Sequence, residues 1–295
     1  MEEQFDYLKE YCDSEKTKSI NAKLLAMYKK WYESWYKGNE SRYASFSTSC
    51  KGHPDEMVYL NKPLLLTCTD AYLENRVILF GKEAHDTDSS ISCFRCELDH
   101  YYDSSTYKYD RAIRFDEREA GKKKAPNREF LKIRKICAEL KGNTSFKDRP
   151  DDFRIFTGVL VNNLNKVSYG GNKTPVEDSL GDIYKDFRYD IYYNDPKNVF
   201  FYEFSILEPK KVLFLCGDYI EHLNRDFGSA VAQKLEASWK TLSTKEGSLK
   251  LVSDPDTFQY AGNTVEYVYG YHPSYPGLRK HLKIYEDAIE RFIKC

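Results

Sequence analysis

The sequence predicts an α/β fold, a three-layer αβα domain with a central four-stranded parallel sheet and an N-terminal helical extension. Three observations carry that prediction. Four short apolar runs, at residues 77–80, 153–161, 211–216 and 264–269, are separated by stretches with helical spacing, the pattern of a parallel sheet covered on both faces. Polar turns rich in glycine or asparagine follow three of the runs, at Gly81-Lys82-Glu83, at Asn162 to Lys166 and at Gly270 to Ser274. At 295 residues, 41% hydrophobic and 31% charged, the chain can bury a core of that size and stay soluble.

The elements follow in order. Phe5, Leu8 and Cys12, then Leu24, Leu25, Tyr28, Trp31 and Trp35, recur at helical spacing, and small and polar residues at 41–52 end that pattern. Residues 1–60 are therefore read as the helical extension and 61–295 as the main domain. A helix is expected over residues 63–73, leading into the apolar run Val77 to Phe80. Gly81 is expected to close that strand with a turn, leaving Glu83, His85 and Asp86 outside its carboxyl end, where open α/β sheets bind ligands. Residues 89–119 form a long polar and aromatic segment, the length at which loops become lids or binding surfaces.

Residues 121–135 hold Lys122, Lys123, Lys124, Arg128, Lys132, Arg134 and Lys135, the densest basic stretch. The second strand ends in Asn162, Asn163 and Asn165, whose amides can both donate and accept, as a nucleobase edge does. Asp195-Pro196 is a helix start, Phe200, Phe204 and Leu207 share a face, and Pro209 stops the helix. The third strand closes at Gly217, and Asp218, Tyr219 and Leu223 open another helix. The fourth strand alternates Val265, Tyr267 and Tyr269, and the last helix carries Leu278, Leu282, Tyr285, Ile289 and Phe292 on one stripe.

Composition narrows the function classes. Net charge is −1, so the whole molecule has no field to draw it onto nucleic acid, and such binding needs a local basic patch. The 25 tyrosines are expected mainly in the core. No apolar run reaches the ~20 residues of a membrane span, and the acidic M-E-E-Q-F-D-Y start lacks a secretion-signal core, so the expected location is cytoplasmic. The eight scattered cysteines fit reduced thiols. Cys93-Phe94-Arg95-Cys96 and Cys50 with His53 lack the partner spacing of a metal site, so no metal and no cofactor is expected. There is no G-x-S-x-G elbow and no phosphate-cradling glycine loop. His222 and His281 are read as surface residues.

A carboxylate, an amide cluster and a histidine on successive strand ends make a distinctive set. Gly81-Lys82-Glu83-Ala84-His85, Gly158-Val159-Leu160-Val161-Asn162-Asn163, Val212-Leu213-Phe214-Leu215-Cys216-Gly217 and His272-Pro273-Ser274-Tyr275-Pro276 resemble, in order, four motifs of the uracil-DNA glycosylase superfamily. Those motifs are G-Q-D-P-Y or G-x-E-P-G, G-V-L-L-L-N, V-V-F-L-L-W-G and H-P-S-P-L. The resemblance covers residues 76–280 and is nearest to divergent bacterial members with a glutamate in the first motif.

The resemblance implies hydrolysis of the N-glycosidic bond of uracil or a related damaged base in DNA by a monomeric protein. Glu83 would face the sugar cation and His272 would donate to the departing base. Gly81 and Lys82 would belong to the base pocket, and Asn163, with Asn162 as the alternative, would read the flipped base. Phe94, Tyr101 and Tyr102 are the candidates to stack on it. Ser274 would bind a phosphate, and Tyr275, Leu278 and Arg279 would meet the duplex. Ala84 and His85 depart from the family's proline and its neighbour. The alternative is a non-catalytic nucleotide- or nucleic-acid-binding protein of the same fold.

Overall fold

The computed structural model describes residues 12–33, 48–49, 57–58, 65–83, 94–99, 101, 158–165, 199–217, 229–243, 250–272, 278 and 280–295. The chain is α/β, with helices packed on a five-stranded mixed sheet. Helix α1 (Glu15–Trp31) comes first, followed by the short antiparallel pair β1 (Thr48–Ser49) and β2 (Met57–Val58). Helix α2 (Asp70–Asn75), strand β3 (Val77–Glu83), helix α3 (Phe94–Asp99) and strand β4 (Val159–Asn165) follow. The remaining elements among the described residues are α4 (Val199–Leu207), β5 (Lys211–Phe214), α5 (Ser229–Ser243), β6 (Asp256–Tyr260), β7 (Asn263–Tyr269) and α6 (Leu282–Lys294).

Strand order in the main sheet is β4-β3-β5-β7-β6. β4, β3, β5 and β7 run parallel to their neighbours, and β6 adds an antiparallel edge through a tight reversal at Ala261-Gly262. Among the described residues the sheet therefore has one strand more than the expected four. Only Phe258 and Tyr260 of β6 are buried, so its D-T-F-Q-Y sequence lacks the apolar run that marks a parallel strand. Gly262 takes φ 82°, the left-handed conformation that two-residue hairpins need and glycine supplies freely.

Pleating sorts the apolar runs onto two faces. Ile78, Phe80, Leu160, Val212, Phe214, Tyr267 and Tyr269 join a core with side chains of α1, α4 and α5. Val77, Leu79, Val159, Val161, Leu213 and Val268 join a second core with Tyr285, Ile289, Phe292 and Ile293 of α6. On the first face Phe214 stacks on Phe80 with ring centroids 5.4 Å apart and meets the Tyr267 ring at 6.1 Å. Such pairs add about 1 kcal/mol each beyond area burial.

Helix α1 belongs to that first core through Ile20, Leu24, Tyr28 and Trp31. Its start is fixed by an Asp70 carboxylate at the head of α2, which accepts from the Ser14 and Thr17 hydroxyls and the Asp13 and Ser14 amides. Burial alone would raise the Asp70 carboxyl, but these hydrogen bonds outweigh it and hold the group below its ordinary value.

The helix expected over residues 63–73 is shorter, because residues 65–69 are not helical. Side chains satisfy their backbone instead. The Leu66 amide donates to the Tyr28 hydroxyl (2.8 Å), and the Leu66 carbonyl accepts from Tyr101 (2.8 Å). The Cys68 amide and carbonyl are both paired with the Asn21 amide group, at 2.7 and 2.8 Å. A buried segment paired in this way has no need of helical bonds.

Among the described residues tyrosines do enter the core: Tyr28, Tyr72, Tyr267, Tyr269 and Tyr285 are among the largest fully buried side chains. Burial pushes the Tyr28 and Tyr72 phenols well above their ordinary 10.0, and it pushes the Cys12 and Cys68 thiols from 9.0 up to about 12. An acid whose folded pKa is raised stabilises the fold below its unfolded value and loses that contribution as pH rises beyond it. Unfolding free energy from urea titrations should therefore hold level up to pH 9 and fall steadily as pH rises toward about 12. In the native protein at pH 8, peptide mass spectrometry should find Cys295 alkylated and Cys12, Cys68 and Cys216 unmodified, since the first is exposed and the others are buried.

Candidate functional site at the carboxyl edge of the sheet

Parallel pairing brings the carboxyl ends of β4, β3, β5 and β7 to one edge. Of these four strands β3 comes first in the chain, β4 lies on one side of it, and β5 and β7 lie on the other. The order reverses between β3 and β5, so the crevice that such sheets offer to ligands opens beside the end of β3.

The strand ends are tied together by their backbones. The Leu215 amide donates to the Phe80 carbonyl (2.9 Å), and the Gly270 amide donates to the Phe214 carbonyl (2.9 Å). The Gly217 amide donates to the Gly270 carbonyl (3.1 Å). Gly217 takes φ 64°, and its carbonyl accepts from the Tyr269 hydroxyl at 2.6 Å. At Gly270 a Cβ would stand 3.2 Å from both the Leu215 side chain and the Leu251 carbonyl, so the edge closes tightly over that position.

β3 does not stop at Gly81. It runs on through Lys82 to Glu83, with Gly81 in register with Asn163 and Glu83 with Asn165. The expected turn at Gly81 is therefore strand. Gly81 is buried, and pairing with β4 continues past it to the end of both strands. Asn162 and Asn163 likewise lie within β4 instead of in a turn after it. The side chains of Lys82, Glu83, Asn163 and Phe94 lie outside the described residues, as do Tyr102, Ser274, Tyr275 and Arg279.

His272 stands just beyond β7, half-buried. Its neighbour Tyr271 is held by the Leu251 carbonyl (3.2 Å from the Tyr271 amide) and by the Tyr285 hydroxyl, which donates to the Tyr271 carbonyl at 2.7 Å.

Three expected contacts are corrected by burial. Leu278 is fully buried in the apolar cluster on the α6 face, so it packs the core and does not present a wedge to a duplex. Asn162 is 1% exposed, and its amide donates to the Glu203 carboxylate at 3.0 Å. It is a partner of a buried acid and not an open base-reading amide. Tyr101, one of three aromatics considered for base stacking, is also in the core, hydrogen bonded to the Leu66 carbonyl.

Glu203 and Tyr28 are the residues the sequence reading missed. Glu203, 1% exposed in α4, accepts from the Tyr28 hydroxyl on one oxygen and from Asn162 on the other. The signal was a single acid inside V-F-F-Y-E-F-S-I-L, a helix otherwise apolar nearly all round. A carboxylate in that position is retained only where partners meet it. Among the described residues no group of three or more histidines, cysteines or acids could hold a metal. No helix among them is long and apolar enough to cross a membrane.

No family model matches the chain, and no curated protein matches it.

The Glu203 pairing gives a direct test of what Asn162 does. Asn162→Ala leaves one carboxylate oxygen of Glu203 without this donor, and unfolding free energy from urea titration should fall by about 2 kcal/mol. An asparagine serving only a substrate would leave stability within ~0.5 kcal/mol of the parent.

Proposed function

We propose that the chain hydrolyses the N-glycosidic bond of uracil or a related damaged base in DNA. The observation that carries this reading is the parallel order β4-β3-β5-β7, whose shared carboxyl edge receives Glu83, Asn163 and His272. A three-layer αβα domain with the four parallel strands at its centre is the architecture that goes with it. β3 and β7 are separated by β5 alone, so Glu83 and His272 arise two strand spacings apart, about 10 Å. That span suits a flipped nucleotide, with its sugar toward one group and its base toward the other.

The chemistry needs these two residue types on opposite sides of one bond. Cleavage breaks the C1′–N bond and leaves both electrons on the base, and the sugar becomes an oxocarbenium-like cation. The Glu83 carboxylate stabilises that cation, orients the water whose oxygen bonds to C1′ and accepts the proton that water loses, while the base anion takes its proton from solvent. His272 donates a hydrogen bond to the base oxygen on which negative charge grows, which lowers the barrier because the charge is present only beyond the ground state. Asn163, in register with Gly81 at the mouth of the crevice, is the amide left for the base edge once Asn162 is committed to Glu203. The basic residues 122–135 supply the local positive charge that phosphate contacts require.

Incubation with uracil- and hypoxanthine-containing oligonucleotides, single- and double-stranded, should release free base. Glu83→Gln and His272→Ala should each slow release by about 100-fold or more. Absence of release from every oligonucleotide, with protein in excess, would overturn the reading. Salt-sensitive oligonucleotide binding without release would point instead to a non-catalytic nucleic-acid-binding protein.

A further inference from the structure

Tyr271 sits directly before His272, and its surroundings are unusually specific. From the α5 side, its ring stands edge-on to Trp239 at 4.9 Å, and its hydroxyl donates to the Leu242 carbonyl at 3.3 Å. From the α6 side, the hydroxyl of fully buried Tyr285 donates to its carbonyl at 2.7 Å. Its amide is held by Leu251, and Gly270 before it is locked to both Phe214 and Gly217. Residue 271 is thus gripped from both faces of the sheet.

The bond from Tyr285 has a particular consequence. The carbonyl of Tyr271 and the amide of His272 belong to one planar peptide unit, so fixing the first fixes the second. The hydroxyl of Tyr285 therefore sets the direction in which the backbone enters His272. We infer that Tyr285 and Tyr271 are positioning residues for His272, an inference that rests on the reading of His272 as the donor to the leaving base. Neither residue needs to approach the substrate. Their role is to limit where the imidazole can stand, and an error of about 1 Å in such a group can cost on the order of 100-fold in rate.

The test compares Tyr285→Phe and Tyr271→Phe with Tyr72→Phe. Tyr285→Phe keeps the buried ring and removes the bond to the Tyr271 carbonyl, and Tyr271→Phe removes the bond to Leu242. Tyr72→Phe removes an equivalent buried bond, from the Tyr72 hydroxyl to the Leu207 carbonyl at 3.2 Å, away from the carboxyl edge. Two quantities are read: the His272 imidazole resonance, assigned by its loss in His272→Ala, and the kcat and KM of base release.

Tyr285→Phe should shift or broaden the His272 resonance and lower kcat by about 10-fold with little change in KM. Tyr271→Phe should act in the same direction, and Tyr72→Phe should alter neither quantity whatever its cost in stability. A His272 resonance in Tyr285→Phe and Tyr271→Phe that superposes on the parent would overturn the inference. A moved resonance with unchanged kcat, in a parent that releases base, would overturn it equally. If the parent releases no base, the catalytic reading of His272 fails, and the resonance alone then supports or removes the clamp on residue 271.

Discussion

A carboxylate can be enclosed in a core only when groups of fixed geometry meet its oxygens, and here Glu203 imposes that condition on three elements at once. The Tyr28 hydroxyl from α1 and the Asn162 amide from β4 each bond one of its two oxygens, and it stands itself in α4. The Tyr28 hydroxyl also accepts from the Leu66 amide, so the network reaches the non-helical segment that precedes α2. Apolar packing would tolerate small slides between these elements. Directional bonds to a buried carboxyl group do not, because each misplaced donor leaves part of the desolvation cost unmet. The network therefore fixes how α1 and α4 seat on the sheet, and it anchors β4 at the position beside Asn163.

The carboxyl edge is built on a second constraint of the same kind. β3, β5 and β7 are laced by amide-to-carbonyl bonds up to Phe80, Phe214 and Gly270. The Tyr269 hydroxyl then closes on Gly217 and the Tyr285 hydroxyl on Tyr271. Tyrosine suits this work, since its ring packs as a core residue while its hydroxyl satisfies a carbonyl at the sheet's end. That use accounts for several of the chain's many tyrosines without requiring them on a nucleic-acid surface.

Much of the parallel sheet was legible because its strands are buried on both faces and so read as unbroken apolar runs. Val77 to Phe80 and Lys211 to Phe214 fall inside β3 and β5, and the alternation of Val265, Tyr267 and Tyr269 matches β7. β6 was not legible, because an edge strand with only two buried side chains resembles a polar connection. Gly81 misled for a related reason. Glycine and charge after an apolar run suggest a turn, whereas here the backbone keeps its ladder to Asn163 and Asn165.

By itself the sequence determined the α/β class and the apolar runs that become strands of the sheet, since periodicity needs no knowledge of contacts. Only the tertiary structure decided which of the polar residues at their ends the core takes up. Asn162 and Asn163 are identical in chemistry and adjacent in sequence. Asn162 is committed to the core by the burial of Glu203, 41 residues away, and a contact at that separation leaves no mark on local pattern. Leu278 shows the same limit: its apolar side chain could wedge into a duplex or fill a core, and its place among Val77, Leu79 and Tyr285 settles which. Tyr28, Glu203, Tyr271 and Tyr285 matter through what they hold, and that follows from where the folded chain brings their polar atoms together.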